Sequence, residues 1–104
     1  MNLERIFYLL TITEYSVELV KDPFGILAGD RYEFLLDIAV DEEDELYSEQ
    51  GVYIRAIYSI TPEHEGIIKY ELFEHNSRKY LEFELEEDEL AEVEMFCKNH
   101  LNLV

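Results

Sequence analysis

The sequence predicts an α+β domain: an antiparallel β-meander of four or five strands with one C-terminal amphipathic helix packed on a face. Three observations predict it. Apolar and polar residues alternate through several short runs, turn residues separate those runs by short intervals, and after Glu86 the apolar spacing becomes helical. Successive side chains of a strand point to opposite faces, so each alternating run has one side to bury. Short connections between runs favour antiparallel neighbours over parallel crossovers.

The run over residues 31–40 carries the clearest signal. Tyr32, Phe34, Leu36, Ile38 and Val40 alternate with Arg31, Glu33, Leu35, Asp37 and Ala39. Before it, Tyr15, Val17 and Leu19 alternate with Glu14, Ser16 and Glu18. Residues 52–60 are nearly all apolar or aromatic, with Arg55 and Ser59 the exceptions, which predicts a central strand covered on both sides. Ile68, Tyr70 and Leu72 then alternate with Lys69, Glu71 and Phe73, and Leu81, Phe83 and Leu85 with Tyr80, Glu82 and Glu84. Turn signals punctuate the runs: Asp22-Pro23 with Gly25, Gly29-Asp30, Gly51, Thr61-Pro62 with Gly66, and His75-Asn76-Ser77.

Leu90, Val93, Cys97, His100, Leu101 and Val104 fall along one helical face, with Phe96 at its margin. Glu86, Glu87, Asp88 and Glu89 crowd the start of this stretch, where negative charge favours the positive end of the helix dipole; Lys98 and His100 lie near the other end. The helix is expected from about residue 87 to about residue 102. Its apolar face needs a partner surface, which the meander supplies.

All 104 residues read as one acidic globular domain, with no linker and no internal repeat. Residues 1–11 are read as an apolar first strand or an ordered arm. Ile6, Phe7, Tyr8, Leu9 and Leu10 resemble a secretory leader only faintly, because Glu4 occupies the basic region and no small-residue cleavage site follows. Retention in the cytoplasm is the expectation, and a lone cysteine suits that reducing compartment.

Composition excludes several function classes. The chain has 25 acidic and 8 basic residues, a formal net charge of -17, and 48% hydrophobic residues. That apolar content is too high for intrinsic disorder. No apolar run reaches the ~18 residues of a membrane helix. One cysteine cannot form an internal disulfide. Direct nucleic-acid binding is not expected, because counterion release requires clustered Lys and Arg.

Candidate chemical sites fail on residue count or register. The acidic run Asp41-Glu42-Glu43-Asp44-Glu45-Leu46-Tyr47-Ser48-Glu49 lacks the glycine and the terminal glutamate of an EF-hand, since Leu46 and Val52 stand at those positions. Cys97 and His100 are spaced to share a metal but lack further ligands, and Cys97 sits within an apolar stripe, so core packing is expected. His64 between Glu63 and Glu65 reads as an exposed turn histidine. Glycine-rich nucleotide loops and the G-x-S-x-G nucleophile motif are absent. No catalytic residue, cofactor or metal is therefore assigned.

Several stretches carry a family resemblance. They are Ile12-Thr13-Glu14-Tyr15-Ser16-Val17-Glu18; Lys21-Asp22-Pro23-Phe24-Gly25-Ile26-Leu27-Ala28-Gly29-Asp30-Arg31-Tyr32-Glu33-Phe34; Val40 with the acidic run after it; Lys79-Tyr80-Leu81-Glu82-Phe83; and Phe96-Cys97-Lys98. Together they resemble a small uncharacterised family of Bacillus-type bacteria, a domain of unknown function. The resemblance covers Ile12 to the C-terminus. It implies a bacterial cytoplasmic protein and brings no activity, cofactor or site residues.

The expected role is a non-catalytic binding module whose acidic surface engages a basic or polar protein partner. The charge is concentrated at residues 41–49 and 82–94. If these share a side of the fold they form an anionic patch, with Tyr15, Tyr47, Tyr53, Tyr58, Tyr70 and Tyr80 as amphipathic contacts. The partner-binding candidates are Asp41, Glu42, Glu43, Asp44, Glu45, Tyr47 and Arg55. Such a patch is either a docking surface, including one that mimics the phosphate spacing of DNA, or a solvated exterior. The alternative from another class is a ligand-binding or hydrolase-like enzyme with a pocket around Arg55, using Tyr53 and His64. Arg55 discriminates between the two: paired with a carboxylate it favours the module, lining a deep pocket it favours the enzyme. A monomer or weak homodimer is expected, with strand edges as the self-association surface.

Overall fold

Each alternating run has one side that must leave water, and adjacent runs satisfy that need by pairing. The computed structural model describes residues 11–22, 25 and 29–101. In it, β1 (Thr11–Leu19), β2 (Asp30–Ala39), β3 (Val52–Ile60), β4 (Glu65–Glu74) and β5 (Tyr80–Leu81) precede helix α1 (Glu87–Asn99). The strands lie side by side in chain order, each antiparallel to the next. This is the α+β meander that the alternation predicts. Expectations falling on residues 1–10, on Pro23 and on residues 102–104 lie outside the described residues.

The core occupies one face of the sheet. Phe34, Leu36 and Ile38 of β2, Val52, Ile54, Ala56 and Tyr58 of β3, and Leu72 of β4 are buried there. Val93 and Cys97 of α1 close over them, with Leu90, Phe96 and Leu101 partly buried around the margin. The helical stripe read from the sequence is therefore the packed one. A feature outside that stripe is the carboxylate of Glu89, buried in the first turn, where it accepts the Glu86 N–H at 2.8 Å. That contact satisfies one of the orphan donors at a helix start.

Three expectations change. β3 is not covered on both sides by packed layers: α1 lies on one face, and Tyr53 and Arg55 on the other remain partly exposed. Ile57 and Ser59 on that second face are nonetheless buried, flanked in register by Glu33 and Lys69 and by Arg31 and Gly66. Long charged side chains can cover apolar surface with their stems. In β4, Ile67 rather than Ile68 turns inward. Tyr58 pairs with Ile67 but Ile57 pairs with Lys69, so Ile68 is the extra residue of a β-bulge and is 49% exposed.

The last run also shortens. β5 is only Tyr80–Leu81, because the Phe83 N–H turns back to the Leu81 carbonyl at 2.9 Å and ends the ladder. Leu81, Phe83 and Leu85 still face the core, and the Leu85 N–H donates to the Tyr70 hydroxyl at 3.0 Å. Inward–outward alternation thus outlasts strand pairing.

The acidic β2–β3 connection is an ordered loop. The Asp41 carboxylate accepts the Glu43 N–H and the Asp44 carboxylate accepts the Leu46 N–H, both at 2.9 Å, which are local turns of the kind Asp favours. These turns aim Leu46 into the core, where it is 2% exposed. Gly29, at φ +68°, immediately precedes β2, where an added Cβ would overlap the Ile60 carbonyl.

We predict that Leu46→Ala costs about 2–5 kcal/mol, as truncation of a large buried aliphatic side chain does, although it lies in a loop. Glu42→Ala, exposed in the same loop, should change stability by less than ~0.5 kcal/mol. Urea denaturation of the two variants checks this, and equal midpoints would contradict the anchoring role of Leu46.

Candidate functional site

With α1 on one face, the opposite face of the sheet carries the side chains the core leaves out. The register places Glu14, Ser16 and Glu18 of β1 beside Asp37, Leu35 and Glu33 of β2. Next come Tyr53, Arg55 and Ile57 of β3, then Phe73, Glu71 and Lys69 of β4, with Tyr80 of β5 opposite Phe73.

Arg55 sits at the centre of this face, clasped by two carboxylates. Its Nε donates to Glu33 at 2.6 Å and its Nη1 to Glu71 at 3.2 Å. Glu71 is its direct cross-strand neighbour and Glu33 is a diagonal one, the two distances a long side chain can span on a sheet. The guanidinium is held by these neighbours and lines neither of the two concave regions of the surface.

Beside Arg55 runs an aromatic ladder. Tyr53 and Phe73 stack with centroids 5.4 Å apart, and Phe73 meets Tyr80 edge-on at 5.9 Å. Tyr53 also contacts the ring of His75 at 4.8 Å. The His75 Nε2 lies 2.7 Å from the Asp37 carboxylate. His75 is placed by its backbone, whose N–H donates to the Gly51 carbonyl at 2.9 Å. Gly51, at φ +87°, keeps the approach close, since a Cβ there would come within 3.2 Å of the imidazole.

These groups border an open depression of about 800 Å³, lined by Glu14, Ser16, Leu35, Asp37, Tyr53 and His75 with Asn76 and Arg78. A second concave region, of about 490 Å³, lies at the far end of β1 and β2 beside Leu19, Lys21 and Arg31. The first combines aromatic faces, a carboxylate–imidazole pair, the Glu14 carboxylate and the Arg78 guanidinium. Such an arrangement offers apolar contact beside charges of both signs.

The sequence candidates are distributed differently from expectation. Asp41, Glu42, Glu43, Glu45 and Tyr47 are exposed on the β2–β3 loop and Asp44 is half-buried there. The loop springs from the end of the sheet that holds Asp37 and Tyr53, while Arg55 pairs with strand carboxylates and not with the loop. Of Tyr53, Arg55 and His64, the first two are neighbours on one face of β3, while His64 lies in the β3–β4 connection beyond the far end of that strand, about 20 Å from Tyr53 at strand rise. Of the tyrosines, Tyr58 is buried and donates to Glu65 at 2.7 Å, and Tyr70 and Tyr15 pack against the core. Tyr47 and Tyr80 are exposed, and Tyr53 is half-buried, as Tyr15 and Tyr70 are, but on the face opposite α1.

Sequence reasoning missed the His75–Asp37 pair. The two are 38 residues apart, and only the register of β2, β3 and β4 joins them. The available signal was Asp37 on the polar side of β2, together with a histidine in the turn that closes β4.

Electrostatics follow burial. Desolvation, then the nearby Glu94 carboxylate, pushes the Cys97 thiol up to about 12. The His100 ring stacks on Phe96 at 3.9 Å and its Nδ1 lies 2.6 Å from the Phe96 carbonyl, so the Cys97–His100 spacing is used in packing. Burial, then the hydrogen bond to Glu65, raises the Tyr58 hydroxyl above its ordinary range. Hydroxyl donation from Ser48 and then Ser77 holds the Glu74 carboxyl below its ordinary value. Among the described residues there is no cluster of three or more metal-ligating side chains, and no helix is long and apolar enough to cross a membrane.

The model of a family described as a family of unknown function (DUF6509) matches residues 10–103. No curated protein and no solved structure matches the chain.

Two predictions test this electrostatic description. Arg55→Met should lower stability by about 1–3 kcal/mol, between exposed and buried ion pairs, and Glu33→Gln with Glu71→Gln should restore much of it. Denaturation of the single and combined variants gives the coupling, and additive losses would show that the clasp contributes nothing. The native Cys97 thiol should resist alkylation at pH 8.5 and react at once in denaturant. The folded state holds that proton, so its contribution is intact below the ordinary thiol value near 9.0 and is lost as pH rises toward about 12. Equal alkylation rates in native and unfolded protein would refute the burial.

Proposed function

The chain belongs to the DUF6509 family, and for it we propose the role of a non-catalytic protein-binding module that engages a basic partner through an anionic surface. The observation that carries this reading is the sheet face opposite α1, which no element among the described residues covers. Its aromatic row, Tyr53, Phe73 and Tyr80, lies beside Asp37 and the Arg55 clasp of Glu33 and Glu71, and Glu14 and Glu18 line the same face on β1.

Aromatic side chains bury large area at low entropic cost and dominate binding hot spots. Carboxylates on that face select cationic partners and steer their approach, an effect reinforced by a net charge of -17. The exposed residues of the β2–β3 loop, Asp41, Glu42, Glu43, Glu45 and Tyr47, extend the negative surface from the same end of the sheet. Mimicry of DNA phosphate spacing is a special case of this docking. The single buried thiol suits a reducing compartment, and the setting proposed is the cytoplasm of a bacterium, with the chain a monomer or a weak homodimer.

An affinity pull-down from the source cell at low and high salt tests the reading, with a Tyr53→Ser/Tyr80→Ser variant as the comparison bait. Partners should be held at low salt, released at high salt, and bound at least ~30-fold more weakly by the variant, as loss of aromatic hot spots implies. Competition by double-stranded DNA for the same partner would mark it as a DNA-mimic target. Recovery of only salt-insensitive partners, or of none, overturns electrostatic docking.

A further inference from the structure

The two edges of the sheet are finished in different ways. On the β4–β5 side pairing is closed off: β5 is two residues long, the Phe83 N–H turns back to Leu81, and the Ile67 N–H is capped by the Glu94 carboxylate of α1 at 2.9 Å. Gly66 permits that cap, since a Cβ there would come within 2.7 Å of the Glu94 carboxylate. Short strands and covering groups are the usual protection of a sheet edge. On the other side, β1 is nine residues long and pairs only with β2 among the described residues.

The direction of its outward backbone groups follows from one hydrogen bond. The Val20 N–H donates to the Arg31 carbonyl at 2.8 Å, so Val20 and Arg31 form a hydrogen-bonded pair. Hydrogen-bonded and non-hydrogen-bonded pairs alternate along an antiparallel ladder. Glu18, Ser16 and Glu14 therefore face β2 with their backbone, while the N–H and C=O groups of Leu19, Val17 and Tyr15 point away from the sheet.

We propose that this outer edge of β1 takes an extended segment of a partner protein, with basic and apolar residues in alternation, as a sixth strand. The inference rests on the binding-module reading and names how its partner docks. An added strand would meet two chemically distinct rows. On the face opposite α1 it would lie along Glu14, Ser16 and Glu18, which favours Lys or Arg at every second position. On the helix face it would lie along Tyr15, Val17 and Leu19, with Tyr15 packed edge-on against Phe96 at 5.2 Å and Leu19 47% exposed, which favours apolar residues at the alternate positions. A second copy fits poorly. Antiparallel pairing of two β1 edges brings Glu14 and Glu18 of both chains onto one face and joins two bodies each at -17.

The test uses the full chain and two synthetic octapeptides of equal composition, one alternating lysine and valine and one with the residues in blocks. Fluorescence anisotropy should show the alternating peptide binding about tenfold more tightly, since only it presents charge and apolar rows together. Val17→Pro removes an outward N–H without touching the ladder to β2, and Glu14→Lys/Glu18→Lys reverses the acidic row. Each should weaken the alternating peptide by about tenfold while circular dichroism stays unchanged. Should Val17→Pro unfold, amide exchange in the unsubstituted chain decides: Tyr15, Val17 and Leu19 should slow on adding the alternating peptide.

Equal affinity for both peptides, or unchanged exchange at those amides, overturns strand addition. Binding that survives Val17→Pro in a folded chain but is lost in Tyr53→Ser/Tyr80→Ser overturns it too, and leaves the binding-module reading standing. Slow exchange at the same amides in the free protein would give the edge to a second copy if sedimentation depends on concentration, or to this chain's own residues if it does not, and either outcome overturns the proposal.

Discussion

The structure depends on one packing event, the closure of Val93 and Cys97 over Phe34, Leu36, Ile54, Ala56 and Leu72. Each fully buried aliphatic or aromatic side chain contributes roughly 1.5–3 kcal/mol, so a cluster of this size is what holds a highly charged chain of 104 residues together. It also settles the arrangement of everything else. One helix can roof only one face of a five-stranded sheet, and the side chains it leaves behind must be compatible with water. Carboxylates, a clasped arginine and half-exposed aromatics meet that condition together.

Charge is managed locally around this core. A net -17 repels itself, and the chain answers by giving many carboxylates a donor close at hand. Asp41 and Asp44 accept backbone N–H groups of their own loop, Glu74 accepts two serine hydroxyls, Glu89 accepts the helix-start N–H, and Glu94 accepts the edge N–H of Ile67. Acidic residues thus serve as loop formers, caps and edge guards as well as surface charge. The carboxylates left on the face opposite α1 give that face its character.

The same economy explains the contrast between the two sides of Tyr58 and its neighbours. Tyr58 and Cys97 lose contact with water, and their ionised forms are disfavoured. Their reactivity is suppressed by packing. On the opposite face, Tyr53, Phe73, Tyr80 and His75 form a continuous aromatic surface that packing leaves available.

Much of the fold was legible because period and polarity are local. Phe34, Leu36 and Ile38 announce the buried side of β2, and Val93 and Cys97 announce that of α1, without knowledge of their partners. The bulge at Ile68 was not legible, since either Ile67 or Ile68 satisfies alternation and only pairing with Tyr58 and Ile57 chooses. The end of β5 was hidden for a related reason: Leu81, Phe83 and Leu85 keep their pattern while the backbone leaves the ladder. For the site, Arg55 was visible as the charge interrupting an apolar strand, but its partners Glu33 and Glu71 were two among 25 acidic residues. The meeting of His75 with Asp37 carries no local mark at all. The amino-acid order by itself determined which residues must be hidden and which element type hides them, because those are properties of neighbours along the chain. Tertiary structure alone decided which charges meet, which sheet edge is guarded and which face stays open, because these depend on register between distant segments, and a shift of one residue would reverse every side chain.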